Sequence, residues 1–171
     1  VGMFGTLLGL GGGFMIIPLL LYGFRFVEPR AVGTSHLIIS LNAFSGALAY
    51  DRQRKIDYRV ALIMGLTAIP AVIIATQVVG KLGSPWFRIV FASVLVFAAV
   101  FILKRQSILG EQGIAAEGAM PKAMVASALS GFAAGLLGIG GGVFHVPILC
   151  IILAVPIHRA TATSHFILLL S

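Results

Sequence analysis

Charged residues make up only 10% of this 171-residue sequence, far below the roughly 25% of an ordinary soluble domain. So little polar surface excludes a soluble globular fold. Cysteine is nearly absent as well: Cys150 stands alone, which rules out an intrachain disulfide, and its place in an apolar run suits a small buried side chain. Acids are scarce and badly placed for metal chemistry. Glu28, Asp51, Asp57, Glu111 and Glu117 all fall in or beside polar links, so the apolar runs hold no carboxylate. Cation sites usually draw on carboxylates, so an anionic or neutral solute suits the sequence better than a metal, although backbone carbonyls at a helix break can still hold a small cation, and no metal or other cofactor is expected. No G-x-x-x-x-G-K-[ST] stretch offers a grip on ATP. No targeting signal or initiating Met precedes Val1, from which an internal piece of a longer chain is expected.

Apolar residues are abundant, 59% of the chain with a mean hydropathy of +1.08. They gather in runs from Val1 to Phe24, Ala31 to Tyr50, Val60 to Val79, Trp86 to Leu103, Ala123 to Val155, and Ala160 onward. Runs of about 20 residues cross a hydrocarbon core of roughly 30 Å as helices. The expected class is therefore an all-α polytopic membrane protein, with membrane lipid as its first partner. The net charge of +7 does not point to nucleic acid, because the cations sit in the links. Arg52, Arg54, Lys55 and Arg59 surround one, and Lys104, Arg105 and Lys122 flank another, as loops that fix topology do.

The sequence repeats itself. Gly9-Leu10-Gly11-Gly12-Gly13 matches Gly138-Ile139-Gly140-Gly141-Gly142 at an offset of 129 residues, and at the same offset Pro18 falls on Pro147, Arg30-Ala31 on Arg159-Ala160, and Thr34-Ser35-His36 on Thr163-Ser164-His165. Shared hydrophobicity does not produce an ungapped match of this kind. Residues 1–122 read as a first unit, with a Gly- and Pro-bearing connector over 104–122, and residues 123–171 as the opening of a second. About two further spans are expected beyond it.

Each unit opens with an apolar run interrupted by three glycines and, five residues on, a proline. Glycine costs about 1 kcal/mol and proline about 3 kcal/mol inside a helix, so both are expected to mark an unwound or broken segment. Within a bilayer, unwound backbone persists only where protein or a water-filled cavity satisfies its polar groups, and paired breaks in two halves point to a transporter site. Glycine leaves N–H groups bare for a small ligand, and a half-helix starting after the break favours an anion. The competing account is close helix packing through small residues; identical spacing in both copies favours the site.

Thr34, Ser35, Thr163 and Ser164 sit at the expected start of a span, where their hydroxyls can cap free N–H groups or bind oxyanion oxygens. Ser35 and Asn42 fall near one helical face with Ser45 close by. An imidazole inside a span is costly and marks function, so His36 and His165 are the candidates for a coupled proton. A neutral ring satisfied by backbone is the alternative. His145 and His158 occur in one copy only and rank lower. The candidate substrate-binding set is thus Gly11, Gly12, Gly13, Thr34, Ser35, His36, Asn42, Gly140, Gly141, Gly142, Thr163, Ser164 and His165. A re-entrant hairpin at the break places more Lys and Arg on one side than a crossing segment does, which favours inverted halves.

The duplicated Gly-rich break, the following Pro, and Ala160-Thr161-Ala162-Thr163-Ser164-His165-Phe166 resemble the TauE/SafE family of sulfite-exporter-like permeases. The resemblance covers the whole chain, and residues 135–147 are its most specific part. It implies about eight membrane segments in two halves, multi-pass residence in the inner membrane, and transport of a small anion such as sulfite, sulfoacetate or another sulfonate. The family signature maps onto Gly11 to Gly13, Pro18 and Thr34-Ser35, and again onto Gly140 to Gly142, Pro147 and Thr163-Ser164. The copies differ where Ile16 stands opposite His145 and Val32-Gly33 opposite Thr161-Ala162. The expected function is secondary transport, not enzymatic turnover, with the two breaks meeting near the midplane. A scaffold or half-subunit packing through its glycines is the alternative, and an intramembrane serine hydrolase built on Ser45 a remoter one. A homo-oligomer stays open.

Overall fold

The computed structural model describes residues 13–81, 85–94, 96, 100 and 118–171, and the described residues form helices joined by short turns, with no strand among them. In chain order the helices are α1 (Gly13–Pro18), which runs on into a π-helical turn over Leu19–Gly23, α2 (Glu28–Arg52), α3 (Tyr58–Val79), α4 (Pro85–Val94), α5 (Ala119–Leu137), α6 (Gly142–Ile151) and α7 (Ile157–Leu170). Three of them, α2, α3 and α5, are long and apolar enough to cross a membrane. At 1.5 Å per residue their lengths are roughly 28 to 38 Å, matching the hydrocarbon thickness. The helices begin a turn or less before the expected runs from Ala31 and Val60, because Glu28, Pro29 and Tyr58 continue them outward. Helix α5 starts at Ala119, so the last residues of the expected connector over 104–122 are already helical.

Duplication is visible in the backbone. Helices α1 and α6 start 129 residues apart, as do α2 and α7. Arg25 and Ala154, also 129 apart, both hold left-handed φ angles of 53° and 51° before the second helix of each unit. The turn bonds repeat too: the Phe26 N–H donates to the Leu20 carbonyl as the Val155 N–H does to Leu149. The equivalent helices α2 and α7 run antiparallel, since Thr163 lies at Asp57, His165 at Gly46 and Tyr50, and Leu168 in the cluster with Ile39. Opposed directions for equivalent helices are what inverted repeats require.

Small residues bring α3 and α5 together side by side. A β-carbon on Gly131 would lie 2.9 Å from the Ala68 carbonyl oxygen, and one on Gly135 would lie 3.0 Å from the Val72 α-carbon. Backbones this close gain van der Waals contact that lipid tails cannot match. Ala61, Ala68 and Ala75, all fully buried, present the seam of α3 at seven-residue spacing. A second cluster, with Ile17, Val32, Phe87, Phe91 and Leu137, packs α1, α2 and α4 against the end of α5.

The second-copy break occurs where expected, but glycine alone makes it. Gly138 and Gly140 take φ angles of 66° and 82°, a left-handed conformation that ends α5, and the Gly138 N–H closes the helix on the Ala134 carbonyl. The prolines do not break the chain: Pro147 lies inside α6, and Pro18 ends α1 directly before the π-helical turn. An interior proline in a buried helix frees one carbonyl, which neighbouring protein tolerates. Beyond the break the chain turns back. His145 on α6 touches Ser127 and Ser130 on α5, two to three turns before the tip, so α5 and α6 form a hairpin. With ten residues, about 15 Å, α6 is too short to cross a bilayer.

Candidate functional site

Glycines and one serine build the hairpin tip. Gly141 precedes α6 and the buried Gly142 is its first residue. Gly13 starts α1 with no room for a side chain, because a β-carbon there would collide with the Ile139 carbonyl and the Ile39 side chain. A β-carbon on Gly140 would lie 3.0 Å from Ile39 as well. Ile39 is close to the middle of the 25-residue α2, so the opening of α1 and the tip of the second copy meet halfway along that helix. Gly11 and Gly12 lie outside the described residues.

Ser35, fully buried on α2, donates its hydroxyl proton to the Gly138 carbonyl at 2.6 Å. It thereby satisfies a carbonyl that the break removed from helical pairing. Capping of a helix start is not the role of the repeated hydroxyls: α2 begins at Glu28 after Val27 and α7 at Ile157 after Pro156, so Thr34, Ser35, Thr163 and Ser164 lie one to two turns inside. The prolines at these starts, Pro29 and Pro156, supply the fixed φ and need no cap. Ser164 repeats Ser35 and is equally buried, and its hydroxyl has no hydrogen-bond partner among the described residues.

The remaining candidates divide. Thr163 accepts from the Asp57 N–H at 3.1 Å, tying α7 to the turn before α3, where the Asp57 carboxylate caps α3 by accepting from the Val60 N–H. His165 is fully buried beside Gly46, its Nδ1 3.0 Å from the Thr161 carbonyl and its ring edge-on to Tyr50 at 5.4 Å. Asn42 is half-buried one turn from Gly46 on the same face of α2. His36 and Thr34 are half-buried, with His36 Nδ1 2.9 Å from the Val32 carbonyl. The structure therefore gathers Gly13, Ser35 and Gly140 to Gly142 at the tip, and places Thr163 and His165 further along the α2–α7 contact. Ser45 is exposed, unlike Ser35, and does not join them.

Sequence reasoning ranked His145 too low. It is 1% exposed and sits among the buried hydroxyls of Ser127 and Ser130. Its Nδ1 lies 2.7 Å from the Gly141 carbonyl, and its Nε2 lies 2.9 Å from Ser127 Oγ and 3.2 Å from Ser130 Oγ. Ser127 also reaches the Met64 carbonyl of α3 at 2.9 Å, and Ser130 the Ser127 carbonyl at 2.9 Å. The signal available in the sequence was a pair of serines one turn apart in an apolar run that is followed, after the break, by a histidine.

Comparison with known proteins agrees with this architecture. The chain matches the family described as sulfite exporter TauE/SafE over residues 1–171. It is 30% identical to YunE of Bacillus subtilis, named a probable membrane transporter protein, over 99% of this chain and 71% of that protein. Probable membrane transporter proteins of Methanocaldococcus jannaschii and Xylella fastidiosa are each 27% identical over 96% of this chain, which spans 62% and 64% of their lengths. No solved structure matches the chain. A duplicated, helix-broken membrane fold and a family match along its full length lead to one conclusion: the chain belongs to the TauE/SafE family of membrane transporters.

Proposed function

We propose that this protein is a secondary permease of the inner membrane that carries a small sulfur-containing anion, such as sulfite, sulfoacetate or another sulfonate. The family match over residues 1–171 carries this reading, and the chemistry of the break supports it. The tip offers backbone and hydroxyl groups with no carboxylate beside them, a donor-rich environment for an oxyanion. Ser35 and Ser164, equivalent in the two units and both fully buried, are the hydroxyls assigned to substrate. Gly13 and Gly140 to Gly142 gather with Ser35 at the tip and carry no side chain to cover its backbone. Movement of one unit against the other would expose the site alternately to each side.

The test is reconstitution of the full-length transporter, with thermal stabilisation and uptake measured across sulfite, sulfoacetate, taurine, sulfate and chloride. A ligand at a hundred times its Kd stabilises by about 2.7 kcal/mol, an easily read shift. Selective stabilisation by a sulfur oxyanion, weakened in Ser35→Ala and Ser164→Ala, is the expected result. A protein that responds to none of these anions sinks the reading.

A further inference from the structure

The cluster around His145 has a property that neither His36 nor His165 shares: it closes its hydrogen bonds with or without one additional proton. A carbonyl only accepts, so the contact between Nδ1 and the Gly141 carbonyl places a proton on Nδ1. In the neutral ring Nε2 is then an acceptor, filled by the Ser127 hydroxyl. Ser130 keeps its bond to the Ser127 carbonyl, and the Met64 carbonyl retains the Thr67 hydroxyl at 2.8 Å. When a proton is added to Nε2, the N–H donates to Ser127 Oγ, with Ser130 Oγ next to it, and the Ser127 hydroxyl rotates to the Met64 carbonyl at 2.9 Å. One hydroxyl turns and no heavy atom moves. His165 has no such arrangement, because its Nε2 faces Gly46 without a hydrogen-bond partner among the described residues.

Charge is the other half of the argument. Helices α3, α5 and α7 pack around α6, and none turns a charged side chain to the ring. Tyr58 and Arg59 lie at the exposed start of α3, Lys122 at the exposed start of α5, and His158 and Arg159 at the exposed start of α7; the remaining titratable group on α7 is the buried His165 against α2. An imidazolium here has no counter-ion among the described residues, and an isolated buried charge is costly. The hairpin tip, whose Gly141 carbonyl the ring grips, is one helical turn away, roughly 5 Å. An anion at the tip would supply the missing negative charge.

We propose that His145 is the proton-binding site of the carrier, loaded together with its anion, so that each binds more tightly in the presence of the other. This rests on the transport reading above. The proton is bound and released at Nε2, and it offsets one negative charge of the anion that moves with it. The Ile16 that stands opposite His145 confines this site to the second unit.

Sulfoacetate is the suitable probe, because its sulfonate stays ionised wherever histidine titrates. In nanodiscs, nitrogen-labelled full-length protein in which every other histidine, His36, His158 and His165 included, is replaced by Gln reports the His145 ring alone. The expected result is a neutral ring with its proton on Nδ1 that converts to imidazolium on acidification, with proton binding about tenfold tighter when sulfoacetate is present. In proteoliposomes a pH gradient should drive sulfoacetate uptake by the wild type, whereas His145→Gln should keep stabilisation by sulfoacetate and lose the drive. Stabilisation by the anion together with a ring that stays neutral, or a His145→Gln protein still driven by the gradient, overturns this proposal alone. A wild type that no anion stabilises overturns the transport reading and this proposal with it.

Discussion

On the proposed reading, the Ser35 hydroxyl would serve the fold and the substrate in turn. It has a single proton, which the Gly138 carbonyl holds at 2.6 Å. A substrate oxygen can take that proton only by releasing the carbonyl, so binding at this serine loosens the hairpin tip. Removing the hydroxyl leaves the buried carbonyl without this donor. Ser35→Ala is accordingly expected to cost about 1–3 kcal/mol, read as a lower unfolding temperature in detergent without any ligand; an unchanged temperature would show that the bond contributes nothing to the fold. Repetition in the sequence singled out Ser35 and Gly138 alike, yet not that the two pair across 103 residues. The same reliance on repetition demoted His145, because its counterpart is Ile16. A residue present in one unit only leaves no echo in the other, and the partners of His145 on α3 and α5 come together only in three dimensions.

At the level of elements, hydropathy located α2 and α3 closely, because in a bilayer a single requirement, an apolar surface about 30 Å long, sets both composition and length. The broken run from Ala123 to Val155 was legible for a different reason: three glycines in a lipid-bound segment have few structural uses. Which residues turn the chain was less legible, since proline and glycine carry similar penalties in a helix and only the left-handed φ at Gly138 and Gly140 separates them. The contact between α3 and α5 makes a sharper prediction. Valine at Gly131 forces its branched side chain into the Ala68 backbone, already 2.9 Å from where a β-carbon would stand. Gly131→Val should therefore destabilise the protein by about 1–3 kcal/mol. The control is valine at the exposed Leu129 of the same helix, which keeps an apolar side chain towards lipid and should leave the unfolding temperature nearly unchanged. Equal losses in both variants would refute the close seam.

For the molecule as a whole, the hairpin fixes sidedness. Helices α3 and α5 run in the same direction, with Ser127 at Met64 and Gly131 at Ala68, and α6 returns the chain to the end from which α5 set out. Arg54, Lys122 and Arg159 thus share one end, and Arg25, before α2, belongs to the other. In a Cys150→Ser background, single cysteines at 54, 122 and 159 should react with an impermeant maleimide from the same side of the membrane and one at 25 from the opposite side. Labelling of 122 and 159 from opposite sides would mean that the broken segment crosses after all. By the positive-inside rule the basic end should face the cytoplasm, so in intact cells only the cysteine at 25 should react.

The hairpin also constrains how the protein is made. A translocation channel can release a helix such as α3 into lipid by itself, since its backbone is internally paired. The α5–α6 hairpin cannot leave in that way. Its tip carries unwound backbone that hydrocarbon will not accept, and most of the groups that receive the tip, the Ser35 hydroxyl, Ile39 and Gly13 among them, belong to the earlier unit, with Leu168 of the second closing against Gly140. The amino-terminal half therefore serves as a docking berth during biosynthesis: it must be membrane-embedded before the second unit emerges, and the order of synthesis along the chain is also the order in which assembly can succeed.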